Sequence, residues 1–133
     1  MIIDKATIMS DGQDIGQVAG DYDSTIINQV KPGGVYDNVW LYVRIDEAVT
    51  SAGAATIVFK LRTSSDNFSS SDVILWQSPA LLKAAMTADT MLFRVRVPLG
   101  VLQYLKMEYT VAVATTTAGT VDAFLVPDVD ASF

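Results

Sequence analysis

The chain has 133 residues, half of them hydrophobic, with 15 Asp and Glu against 9 Lys and Arg, a formal charge of −6, no Cys and no His. These numbers fit one domain with one core. They exclude disulfides, thiolate metal sites, thiol nucleophiles and the imidazole that most often acts as general base or metal ligand.

The negative charge is the wrong sign for holding nucleic acid by phosphate neutralisation. No apolar run reaches the roughly 18 to 20 residues of a membrane-spanning helix. Neither nucleic acid nor a membrane is therefore expected as a partner. The opening Met1-Ile2-Ile3-Asp4-Lys5 lacks the regions of a secretory leader, which gives an expectation of synthesis in the cytoplasm. A composition this apolar is high for a two-layer β domain with wet outer faces, so another chain is expected to cover part of the surface.

Residues 1–37 are the least regular, with short apolar runs at Ala6 to Met9 and Ser24 to Val30 separated by DGQDIGQVAGDYD. They read as an N-terminal arm and an edge strand, closed by the turn signal Lys31-Pro32-Gly33-Gly34. Residues 38–126 then read as a core sandwich, and 127–133 as a tail. From Asn38 to Asp66 two alternating runs follow one another. Val39, Leu41, Val43 and Ile45 alternate with Trp40, Tyr42, Arg44 and Asp46, and Ile57, Phe59 and Leu61 with Val58, Lys60 and Arg62. Period 2 predicts a half-buried antiparallel pair joined by the small-residue loop Val49 to Ala55, a mobile contact-making loop.

Thr63 to Asp72 is a polar loop in which Phe68 can act as a plug. Val73 to Gln77 shows little alternation and is expected to be buried on both sides. Ser78-Pro79 opens an ambiguous stretch, Ala80 to Ala88, that fits either a short helix or an irregular strand and crossover. Met91 to Val97 predicts a strand with Met91, Phe93, Val95 and Val97 on one face, stopped by Pro98. Tyr104 to Ala114 predicts another, with Leu105, Met107, Tyr109, Val111 and Val113 inward, and Thr120 to Val126 a last. About eight strands with a turn every eight to twelve residues predict an all-β, single-domain antiparallel sandwich.

Six of the nine basic residues, Arg44, Lys60, Arg62, Arg94, Arg96 and Lys106, fall at outward strand positions. They either pair across strands with Asp46, Glu108 and Asp122 or form a basic stripe for an acidic partner. Asp21 with Asp23 and Asp128 with Asp130 are Asp-x-Asp pairs without the spacing of a calcium loop, and read as solvated acids. Ser and Thr occur without Gly-x-Ser-x-Gly and without His, and Gly33-Gly34 lacks the Lys and helix of a phosphate loop. No enzyme activity, metal or cofactor is expected. Trp40 and Tyr42 point away from the core positions, so they lie under the arm, form a protein interface or make a sugar-stacking platform.

Several segments together carry a resemblance: MIIDK followed by Ser-Asp, RIDEA ending the long strand with Gly53 to Thr56 restarting it, LRTSSDNFSS from Leu61, Ser78-Pro79-Ala80, YLKMEYTV from Tyr104, and AGTVDAFLV from Ala118. The chain resembles the jelly-roll capsid cement (decoration) proteins of short-tailed bacteriophages. The resemblance implies an eight-stranded jelly roll that forms a homo-oligomer, dimer or trimer, on the outer capsid surface of a virion. There it bridges neighbouring major capsid protein subunits against the pressure of packaged DNA.

On that basis Thr50, Ser51, Ala52 and Gly53 in one loop, and Ser65, Asp66, Asn67 and Phe68 in another, are expected to touch capsid protein. Trp40, Tyr42 and Arg44 are expected in the oligomer contact. The main alternative is a carbohydrate- or receptor-binding module of a virion, since one fold serves many functions.

Overall fold

Alternating strands with one apolar face must find a second apolar face to cover it, and this chain does so by sorting its strands into two sheets. In the computed structural model the described residues are 8–28, 40–70, 72–98 and 101–126. The strands are β1 (Ile8–Asp14), β2 (Gly20–Asp23), β3 (Ile27–Asn28), β4 (Trp40–Thr50), β5 (Thr56–Ser64), β6 (Val73–Gln77), β7 (Leu81–Leu82), β8 (Thr90–Arg96), β9 (Tyr104–Ala112) and β10 (Ala118–Val126). One sheet has the order β1-β10-β4-β8. The other has the order β2-β9-β5-β6, with β3 also on β9 and β7 also on β5.

All pairs are antiparallel. β2 and β3 run along the same strand with their register displaced by one residue, Asp23 opposite Glu108 and Ile27 opposite Leu105. β6 and β7 likewise run along β5 with Ser78-Pro79-Ala80 between them. Counted as interrupted strands, these ten segments are eight, four to a sheet. Among the connections, only β5 to β6 joins neighbours in one sheet, while the others cross between sheets. This is the jelly-roll sandwich.

β4 and β5 are therefore not the antiparallel pair that their adjacency suggested. β4 pairs with β10 and β8, and β5 with β9, β6 and β7. Each carries a continuous apolar row, and two such rows bury more area facing one another than lying side by side in one sheet. Leu41, Val43 and Ile45 from β4 share one cluster with Ile57, Phe59 and Leu61 from β5, together with Leu105, Met107, Tyr109 and Val111 from β9.

Rings join the two layers. Phe59 lies 5.6 Å from Tyr109 and 5.7 Å from Phe93, and Phe93 lies 5.0 Å from Trp76. Tyr109, in the second sheet, also reaches β1 in the first. Its hydroxyl is 2.7 Å from Ser10 Oγ, which donates to Gln13 Oε1 at 2.6 Å. This satisfies a buried phenol across the core.

Other expectations fail for identifiable reasons. Residues 8–23, within the stretch read as an arm and one edge strand, supply an edge strand to each sheet. Gly12 at φ 62° and the register shifts along β1 break the alternation that would have revealed it. β6 is an edge strand with Val73 48% and Ile74 44% exposed, not a strand buried on both sides. No α-helix follows Ser78; the crossover alternative forms instead, with β7 and a single 3₁₀ turn, Lys83–Ala85. Ser78 is a bridge rather than a cap. Its N–H donates to Phe59 O, and its Oγ accepts from Phe59 N.

In β8 a register shift puts Val43 opposite Phe93 but Arg44 opposite Met91. Leu92 thereby joins the core, and Met91 leaves it for the outer side. Val113 is not inward: β9 ends at Ala112, and Val113 is 77% exposed. The turn signal Lys31 to Gly34, the arm before residue 8 and the tail after 126 lie outside the described residues.

Two predictions follow from close contacts in this sandwich. A Cβ added at Gly16 would stand 2.8 Å from the Ala118 Cα and 2.9 Å from its N. Gly16→Ala should lower the unfolding free energy by about 1–3 kcal/mol, measured by urea denaturation. Burial holds the Tyr109 phenol well above its usual ionisation range, with the Ser10 hydrogen bond opposing it. Above pH ~10 the unfolded chain releases this proton and the native state keeps it, so stability falls as pH rises. The slope from this group is about 1.4 kcal/mol per pH unit, and thermal melts of Tyr109→Phe should show a shallower alkaline decline.

Candidate functional site

The two loops expected to touch a capsid lie at opposite ends of β5. Residues 51–55 precede it and 65–72 follow it. Nine residues at about 3.3 Å each place the loops roughly 30 Å apart along the strand. They cannot form one patch.

At the first end, four connections are bound to one another. Thr117 N donates to Thr50 O at 2.8 Å, and the two threonine hydroxyls are 2.9 Å apart. Ser51, nearly buried, donates to Thr115 O at 2.7 Å and accepts from Gly53 N, and its carbonyl takes the Lys83 ammonium at 2.6 Å. Thr116 Oγ1 donates to Ile15 O at 2.6 Å and accepts from Gln17 N at 2.7 Å. The loop expected to be mobile is thus tied on both sides. Thr50, Ala52 and Gly53 remain exposed there. The role of Lys83 had no sequence signal, because nothing in its neighbourhood marks Ser51 as a partner.

At the second end, Ser64 Oγ accepts from Asp66 N and Phe68 N and donates to Asp66 Oδ1 at 2.8 Å, while Asp66 Oδ2 accepts from Ser70 N at 3.0 Å. These bonds hold Asn67 and Phe68 at φ 56° and 62°. The Phe68 ring then lies 4.3 Å from Lys106 Nζ. Ser65 and Asn67 are exposed, while Asp66 and Phe68 are half-buried. Phe68 is a plug, as expected, but over a cation on the outer face rather than into the core.

The six outward bases divide between the sheets, with Arg44, Arg94 and Arg96 on the first and Lys60, Arg62 and Lys106 on the second. Arg62 stands directly opposite Lys106, a repulsive register taken alone. Acids relieve it. Glu108 Oε1 takes Arg62 at 2.7 Å and Lys60 at 3.4 Å, Asp72 takes Arg62 at 2.6 Å, and Asp23 takes Lys106 at 3.2 Å. On the first sheet Asp122 takes Arg44 at 2.9 Å, with Asp46 3.8 Å away. Pairing with acids takes up four of the six, Arg44, Lys60, Arg62 and Lys106, while Arg94 and Arg96 stand exposed on β8. Glu108→Leu takes the shared carboxylate from two cations, Lys60 and Arg62, so denaturation should show a loss of about 2 kcal/mol, between exposed and buried pairs. Asp72→Asn, at an exposed carboxylate, should cost less than about 1 kcal/mol.

Of the positions expected in an oligomer contact, Tyr42 is fully buried. Its ring meets Phe124 at 5.6 Å in a second cluster on the outer side of the first sheet, with Ile8, Trp40 and Met91 packed against it. Trp40 is half-buried, and Arg44 is engaged with Asp122. Asp21 accepts from Thr110 Oγ1 at 2.7 Å and Asp23 pairs with Lys106, while Asp128 and Asp130 lie outside the described residues. Among the described residues no three acidic side chains come together as a metal site would need, and no helix is long and apolar enough to cross a membrane.

No curated protein matches this sequence. The model of the family described as Bbp16 matches residues 9–125, nearly the whole sandwich from the second residue of β1 to the penultimate residue of β10. The chain belongs to the Bbp16 family.

Proposed function

We propose that this protein is a bacteriophage capsid cement protein that docks on the outer surface of the shell and bridges neighbouring major capsid protein subunits. The observation that carries the reading is the strand order itself. The eight-stranded jelly roll implied by the resemblance to cement proteins is the fold this chain adopts. The side chains support it further. The outer charges of the second sheet are spent on one another, and the two ends of β5 offer contact surfaces roughly 30 Å apart. A bridging protein needs separated contacts, and many copies on a lattice can use modest ones because simultaneous engagement multiplies them. The homo-oligomer belongs to the same proposal.

The alternative, a carbohydrate- or receptor-binding module, needs an aromatic platform open to a ligand. Of the two rings expected to build one, Tyr42 is fully buried and Trp40 half-buried. Mixed with expanded shells lacking it, the purified protein should pellet with them and saturate at a fixed ratio to capsid protein. Absence of saturable binding by a folded protein, with binding to a glycan array, would replace this reading with the alternative.

A further inference from the structure

One end of the sandwich carries little charge. None of residues 15–20, 50–55 or 112–119, which form the connections β1–β2, β4–β5 and β9–β10 with their flanks, is acidic or basic. The charges that border them are tied down or set back: Asp14 accepts from Gly16 N and Gln17 Nε2, Lys83 donates to the Ser51 carbonyl, and Asp89 stands just before β8. Three of the six large hydrophobic residues exposed among those described stand at this end: Val18 at 63%, Leu82 at 55% and Val113 at 77%. The register brings them to one end. Gly20 pairs with Val111, Ala112 with Thr56, and Thr56 with Leu82, so Val18 and Val113 stand at the ends of neighbouring strands and Leu82 lies beyond β5, about 10 Å from β9 at about 4.8 Å per strand.

Val113 is the exceptional member. Ala114 N donates to Ala112 O at 2.8 Å, closing a three-residue turn with Val113 at φ 71°. This is a γ-turn of the rare, strained hand, with a β-branched residue where such residues are seldom found. The cost is held in place by the ties of Thr115, Thr116 and Thr117 to Ser51, Ile15 and Thr50. An aliphatic side chain is thereby presented to solvent on a pre-organised support.

Building on the cement reading, we infer that this sparsely charged end is the face that docks on the shell, with Val113, Val18 and Leu82 entering an apolar recess of the major capsid protein. Charge selects the partner surface, because an end with so few charges, on a chain of charge −6, directs the contact toward a site with little ionic demand. Size argues against a second copy of this chain as the occupant. The exposed residues here fall well short of the roughly 20 to 30 a side of a stable dimer, whereas a repeating lattice works with small contacts. The polar 65–72 loop at the far end is left to a different contact or to solvent.

The test is shell pelleting with variants whose folding is followed by thermal melts. Val113→Gly removes the side chain and suits the backbone, so the melting temperature should hold or rise while affinity for shells falls by about tenfold. Val18→Asp and Leu82→Asp should weaken binding too. Asn67→Gly, which makes the same backbone change at the opposite end, should not, and binding should persist from low to high salt. Wild-type affinity in Val113→Gly, or binding lost with salt, would overturn the inference while leaving the cement reading intact. A doubled mass in light scattering that Val113→Asp abolishes would assign this end to a second copy instead. If the wild-type protein does not pellet with shells at all, both readings fall.

Discussion

The structure depends on one demand: the apolar rows of β4 and β5 must face each other. Leu41, Val43 and Ile45 on one strand and Ile57, Phe59 and Leu61 on the next are all fully buried. Two neighbouring strands of one sheet would leave that shared face to be covered by something else. Sending them to opposite sheets closes the core within a single chain. The short connection 51–55 then has to cross from layer to layer, and the connections that share its end must cross beside it.

That crossing determines where function can reside. It gathers the connections β1–β2, β4–β5 and β9–β10, with the segment between β7 and β8, at one end, and leaves the 65–72 loop at the other. The two ends differ in chemistry. One is sparsely charged, aliphatic and bound together by threonine and serine hydroxyls. The other is a serine and aspartate turn whose Phe68 is engaged by Lys106. Between them the second sheet's outer face is a closed set of ion pairs centred on Glu108, which stabilises the sheet and offers little unpaired charge to a visitor.

Much of the fold was legible because period 2 survives wherever a strand is regular. β4, β5, β9 and β10 could be read almost to their ends from Leu41, Phe59, Met107 and their neighbours. Pairing was not legible, since the same alternation serves a strand whichever sheet it joins. Bulges also hid information. The slip at Leu92 reverses Met91, and Gly12 disguises β1, because a one-residue shift exchanges the two faces. Tyr42 read as outward, which is true of its direction, but a sequence cannot show that Phe124 and Ile8 arrive beside it. The candidate contact loops were visible as small or polar stretches. Their separation, and the exposed turn at Val113, came only with the topology.

The most direct test uses the absence of cysteine from the chain, which lets a single introduced thiol report one position. Ala52→Cys and Ser69→Cys mark exposed sites at the two ends, and maleimide labelling can be timed free in solution and bound to expanded shells. The account predicts that shell binding shields the thiol at position 52. Shielding at 69 with free labelling at 52 would contradict it.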